Sequence, residues 1–325
     1  MNLYRLAIPF ALVPLTSAPV SATTLFPQNF TCPVGGEEFE DYVIGSTSSW
    51  GQRPDGKAIG GVSPWPVIEC PTNGFPIYQE EFNDEEVAQL ADLIATPEFM
   101  AMRESDTSYR RIWWLRKQMG ADAYSQAWYL LAASWQADDS PELKSRYQRD
   151  FAIAADALSR EAGMADDWLW YTLRAANAYR ELGQFDDAQR LLAEVDQPAL
   201  LPEDEDERAG ARRLIDGLAA LVSEKNTYFE PTNLVGARNS AERCEGPRED
   251  LTAVEVHACE SQPHSADIRE LDEYRDDSMP AEAAMADANG DWEAVEAALE
   301  AVDTAAEAAA TAPFSDYVLA IPQDD

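Results

Sequence analysis

Two short fragments carry the residue types best suited to chemistry: Cys32-Pro33-Val34-Gly35-Gly36-Glu37-Glu38-Phe39 and Cys70-Pro71-Thr72-Asn73-Gly74-Phe75. Each is spaced as a metal-binding knuckle, Cys-Pro-x-Cys-Gly, whose second cysteine is replaced, by Gly35 in one and Asn73 in the other. An intact pair would hold zinc tetrahedrally through four thiolates. One thiolate per loop plus an amide makes a poor zinc site, and His257 and His264 both lie far along the chain. Sulfurs that faced each other across a metal are close enough to bond, so a Cys32–Cys70 disulfide is expected, with a residual metal or free thiols as alternatives. The same replacements remove the Cys-x-x-Cys needed for dithiol redox chemistry.

The other two cysteines, Cys244 and Cys259, form a second local pair. Four cysteines allow three connectivities, and local pairing is the simplest in an oxidising compartment. An export signal agrees with this. Residues 1–22 offer Arg5, a short apolar run from Leu6 to Leu15 broken by Pro9 and Pro14, and the small residues Val20-Ser21-Ala22 at a cleavage site. A periplasmic or secreted destination is expected, with no membrane span, because no later stretch approaches 18 apolar residues. The charge balance is lopsided: 24 Lys+Arg against 60 Asp+Glu, a formal −36 in 325 residues. Nucleic acid and anionic lipid are repelled by such a chain, whereas a cationic partner would be attracted; a solubility adaptation is the blander explanation.

Motifs for catalysis are scarce. There is no Gly-x-Ser-x-Gly, no His-Glu-x-x-His and no phosphate-cradling glycine loop. Paired carboxylates for glycoside hydrolysis remain an alternative among 60 acids, with Trp50, Trp65 and Asp55 in an aromatic loop region; the bland account makes those aromatics the core of a small module. Asp287-Ala288-Asn289-Gly290-Asp291 resembles a calcium loop superficially, but Trp292 stands where glycine is needed and Ala298 where a bidentate acid is needed. No cofactor and no metal is expected.

The elements that position these residues fall into blocks. Residues 23–83 are rich in turn signals, such as Arg53-Pro54-Asp55-Gly56 and Asn73-Gly74, around short apolar pieces: a loop-rich, ribbon-like module that needs a staple. Residues 84–224 read as helices. Asp84 is a plausible N-cap for a run with Val87, Leu90 and Ile94 on one face, and Ser140-Pro141-Glu142 opens a long helix. Trp168 to Val195 reads as helix, turn, helix, with Ala175, Ala176, Gly183, Phe185 and Ala188 at the spacing of a tetratricopeptide-like hairpin, a unit that stacks around a concave binding face. On its first helix Trp170, Arg174, Asn177 and Arg180 are the candidate ligand-binding residues, suited to a peptide's carboxylate. Residues 225–280 read as an acidic irregular excursion pinned by Cys244–Cys259, and residues 281–325 as a helical hairpin and tail.

Cys32-Pro33, Gly36, Phe39, Cys70-Pro71, Gly74-Phe75 and Tyr78, followed by helices from Tyr109, resemble an uncharacterised bacterial family, the domain of unknown function 2225. That resemblance covers about residues 30–200 and implies a knuckle module ahead of helical, repeat-like segments; Gly35 and Asn73 depart from it and count against a metal. The fold expected is therefore mainly α: tetratricopeptide-like helical repeats behind a small disulfide-stapled N-terminal module. The expected role is that of a non-catalytic interaction or assembly protein binding a protein or peptide, with a periplasmic carbohydrate hydrolase as the alternative. A structural subunit of a larger envelope assembly is a third reading.

Overall fold

In the computed structural model the two cysteine loops fold alike. The Cys32 amide donates to the Glu37 carbonyl and the Gly36 amide to the Cys32 carbonyl, at 2.7 and 3.1 Å; Cys70, Phe75 and Gly74 repeat the pattern at 2.9 and 2.8 Å. Gly36 and Gly74 take φ of +71° and +66°, a backbone that a side chain resists. Cys32 and Cys70 are joined in a disulfide, as expected. Asn73 settles against it: its amide donates to the Val34 carbonyl at 2.6 Å and its carbonyl accepts the Phe75 amide at 2.9 Å. The two vacated knuckle positions also face each other, since a Cβ on Gly35 would lie 3.7 Å from the Asn73 amide.

Residues 24–49, 51–160 and 164–261 are described. The expected export signal, Trp50, His264, the calcium-like stretch and the expected C-terminal hairpin and tail lie outside them. Strands β1 (Thr24–Thr31) and β2 (Glu38–Ser46) form an antiparallel ribbon whose turn is the first knuckle. The short pair β3 (Gly51–Gln52) and β4 (Ala58–Ile59) flanks a tight turn at Arg53–Lys57.

Ten helices follow among the described residues. Helix α1 (Asp84–Ile94) is capped by Asn83 rather than Asp84: Asn83 accepts from the Glu86 amide and Glu86 reaches back, a reciprocal capping box. Asp84 then serves the first turn, where a negative charge suits the helix dipole. Helix α2 (Pro97–Ser105) starts at a Thr96 cap followed by proline, and α3 (Ser108–Gln118) follows. Next come α4 (Ala123–Gln136), α5 (Pro141–Asp156), α6 (Ala165–Glu181), α7 (Phe185–Val195) and α8 (Glu205–Ser223). The α6–α7 hairpin closes at Gly183, whose φ of +73° lets its amide reach the Arg180 carbonyl while Gln184 reaches that of Tyr179.

The architecture is thus mainly α, with tetratricopeptide-like helical hairpins behind a stapled N-terminal module. Two cores hold it. One runs through α4 to α8, with Leu131, Phe151, Leu169, Leu173, Leu191 and Leu218 buried. The other joins Cys32, Cys70 and Phe75 to Leu90, Phe99, Trp114 and Leu115. Among the described residues the N-terminal module has no separate core; it shares one with α1–α3. Arg111 of α3 fastens the second knuckle by donating to both Glu69 oxygens, at 2.6 and 2.7 Å, and to the Gly74 carbonyl.

The sequence suggests irregular chain over residues 225–280. Its described part instead holds α9 (Ala237–Glu245) and α10 (Ala253–Ser261), joined by the Cys244–Cys259 disulfide. Polar composition concealed them because their cohesion is local and ionic. Glu255, fully buried, binds the guanidinium of Arg243 at 2.5 Å and the Asn226 amide at 2.7 Å.

Candidate functional site

Helix α6 was expected to present a concave binding face, and the chain covers much of that face itself. Trp170, Arg174, Asn177 and Glu181 lie along one side, spaced three or four residues apart. The turn at Arg53–Lys57 lies over it: a Cβ on Gly56, whose φ is +90°, would sit 2.6 Å from Arg174 Nε. Segment 226–228 covers the end of the helix. Arg180 is fully buried and donates to the carbonyls of Asn226 (2.9 Å) and Tyr228 (2.8 Å) and to Asn177 Oδ1 (2.8 Å).

Of the four residues named from sequence, Asn177 and Arg180 are therefore closed off, each 0% exposed. Arg174 is half-buried beneath the turn, and burial pushes its guanidinium pKa down. Trp170 packs against the helical core. Arg180 anchors segment 226–228, Arg174 lies under the Gly56 turn, and the open space lies beside them.

That space is a cavity of about 630 Å³, walled by residues 57–63, the α4–α5 corner, the end of α6 and segment 227–230. Its centre is Asp138, at the corner between α4 and α5. The Asp138 carboxylate accepts from Arg53 Nη1 at 2.8 Å, Lys57 Nζ at 2.5 Å and Lys144 Nζ at 2.7 Å. Arg53 also grips Asp55 through Nε and Nη2, at 3.1 and 2.6 Å. Burial works against the ionised form of Asp138, but hydrogen bonds and charge from Arg53, then Lys144 and Lys57, outweigh it and hold the pKa down to about 2.

Two other carboxyls move the opposite way. Glu181, buried at the end of α6, accepts from Gln148 Nε2 at 2.6 Å and Asn177 Nδ2 at 2.8 Å; burial, then the nearby charge of Asp55, pushes its pKa up against the pull of Arg180. Glu230 is also pushed up, first by burial. Among the described residues Glu230 makes neither a hydrogen bond nor an ion pair. Beside it the Phe229 ring, 36% exposed, carries Lys144 Nζ 4.8 Å and the Arg53 guanidinium 5.5 Å from its centroid.

The loop expected to serve a hydrolase looks different. Asp55 is 5% exposed and engaged by Arg53, and Trp65 is 44% exposed rather than part of a core. The residues that sequence reasoning missed, Asp138, Lys144, Phe229 and Glu230, come from distant parts of the chain. One usable signal existed: with 24 cations against 60 acids, each basic residue in a turn signal or helix cap marks an acid to be held.

By its fold, then, this is a disulfide-stapled protein of helical hairpins with a charged cleft at the junction of module and array. No family model, no curated protein and no solved structure matches the chain.

Proposed function

We propose that this chain is an exported, non-catalytic interaction protein of the periplasm or extracellular space. It binds a protein or peptide partner on its helical-repeat surface, with the cleft beside Phe229 as the seat. The observation that carries this reading is the cleft itself: about 630 Å³, within the roughly 300–1,000 Å³ usual for binding sites, and lined by charged groups already fixed on one another. Export is supported by the two disulfides, and no helix among the described residues is long and apolar enough to cross a membrane. The negative balance of −36 opposes nucleic acid as the partner.

A photo-crosslinking residue at Ser145, on the cleft wall, tests the reading in envelope extracts against one at Ile153, which is 57% exposed on the same helix. A discrete peptide or protein adduct from position 145 alone is the expected result. Equal labelling at both positions would discard the cleft as the seat.

The hydrolase alternative, expected on carboxylates near the aromatic N-terminal loops, gains one observation on other residues: burial raises the pKa of both Glu181 and Glu230, which line one cleft. Release of reducing ends from envelope glycans, abolished by Glu230→Gln, would establish it. Release unaffected by that change would remove it.

A further inference from the structure

The cleft's charges are unequal in one respect: its cations are engaged and two of its anions are not. Arg53, Lys57 and Lys144 all converge on Asp138, and Arg53 holds Asp55 as well. An incoming carboxylate would have to displace Asp138 from three partners. Glu230, by contrast, is half-buried on the cleft wall with no hydrogen bond or ion pair among the described residues, and Asp139 is exposed on the same wall. A half-buried carboxylate on a cavity wall, with no hydrogen bond or ion pair among the described residues, is open to an incoming charged donor.

Phe229 adds a second, independent indication. Its ring lines the cleft, is 36% exposed, and has Lys144 Nζ and the Arg53 guanidinium 4.8 and 5.5 Å from its centroid, so its face attracts cations in this setting. A half-buried carboxylate beside an accessible aromatic face is the combination that recognises an alkylammonium or guanidinium group, by ion pairing and by cation–π attraction. The field of the whole chain, at −36, steers the same kind of partner towards the molecule.

We infer that the cleft takes the cationic side chain, lysine or arginine, of a basic peptide segment, with Glu230 as its counter-ion and Phe229 as its platform. This rests on the peptide-binding reading above and narrows it to one ligand class. It reverses the polarity expected from the α6 face, where Arg174 and Arg180 suggested a carboxylate ligand; those arginines lie beneath the chain's own turn and segment.

The experiment measures binding of the full chain to four acetylated, amidated pentapeptides that differ only at the centre: lysine, arginine, leucine or glutamate. Lysine and arginine peptides are expected to bind at least about tenfold tighter than the other two. Glu230→Gln, isosteric and uncharged, is expected to remove that preference, and Phe229→Leu to weaken both basic peptides several-fold, with an unchanged circular dichroism spectrum certifying the fold. Equal binding of all four peptides, or a preference that survives Glu230→Gln, overturns the inference. Leucine or glutamate peptides that bind and lose affinity with Phe229→Leu would discard the cation while keeping the cleft as a peptide seat. Binding of none of the four discards both.

Discussion

Asp138 is the residue whose replacement best tests the account of the cleft. Its single carboxylate serves three cations at 2.5–2.8 Å, while its own side chain keeps 25% of its surface exposed. The pKa is held at about 2 against an ordinary 3.8, which at about 1.36 kcal/mol per unit corresponds to roughly 2–3 kcal/mol of stability at neutral pH. Partial exposure trims that towards about 2 kcal/mol. Asp138→Asn also strands charge, but unequally. Arg53 keeps Asp55, and the two lysines, 17% and 14% exposed, have some access to water. The expected loss is therefore about 2–3 kcal/mol, at or just below the roughly 3–5 kcal/mol of a fully buried broken pair.

The assay is urea unfolding of wild type and Asp138→Asn, followed by tryptophan fluorescence across a pH series. The folded pKa is depressed, so the contribution of Asp138 is complete above the unfolded value and disappears as pH falls through about 2. The gap between the two proteins should be full at about pH 6 and shrink between about pH 4 and pH 2. Glu181 and Glu230 act with opposite sign. Their folded pKa values are raised, so each costs stability near neutrality and that cost is relieved as mild acid protonates them. Glu181 behaves alike in both proteins, whereas the Asp138 charge contributes to the rise at Glu230, so the fall of the gap below about pH 4 is the part that reports on Asp138 itself. A gap below about 0.5 kcal/mol at pH 6, or one that persists unchanged at pH 2, would refute the reasoning.

Two further perturbations probe what holds the cleft's walls. Arg180→Met removes the donor that fixes the Asn226 and Tyr228 carbonyls and leaves buried Glu181 without its adjacent cation, so a loss of about 3–5 kcal/mol is expected, with hydrogen exchange at residues 226–232 accelerating more than in α4. Uniform acceleration would show that Arg180 does not specifically fasten this segment. Replacing Cys32 and Cys70 together by serine opens a loop with a sequence separation of 38 and should cost roughly 3–4 kcal/mol by chain-entropy arithmetic. A change under about 1 kcal/mol in denaturant titration would mean that Phe75, Leu90 and Phe99 hold the module without the staple.

The helices were legible because their signals are short-range. Ser140-Pro141-Glu142 opens α5 and Gly183 turns the chain between α6 and α7 where the sequence predicts them, each signal acting within a few residues, although Ser140 makes no side-chain capping hydrogen bond. Helices α9 and α10 were not, because charged residues there serve as internal partners: Glu255 is as buried as any leucine, its charge matched by Arg243. The disulfides were legible from pairing alone, while the shared core of module and α1–α3 was not, since no local pattern says that Phe75 meets Leu90 and Phe99.

The cleft was hidden for a different reason. A helical hairpin read alone seems to offer a concave face, and residues 170, 174, 177 and 180 are a fair guess at what lines it. What periodicity cannot show is that the chain carries its own occupants. The glycine turn at 53–57 and the segment at 226–228 lie on that face, using Gly56 for close approach and two backbone carbonyls as acceptors for Arg180. A buried arginine satisfied by backbone is an anchor for the segment it holds. Binding capacity is thereby displaced one step outward, to the space the occupants leave between themselves and α5. There the unpaired groups are acids rather than bases, which is the ground for the cationic ligand proposed above.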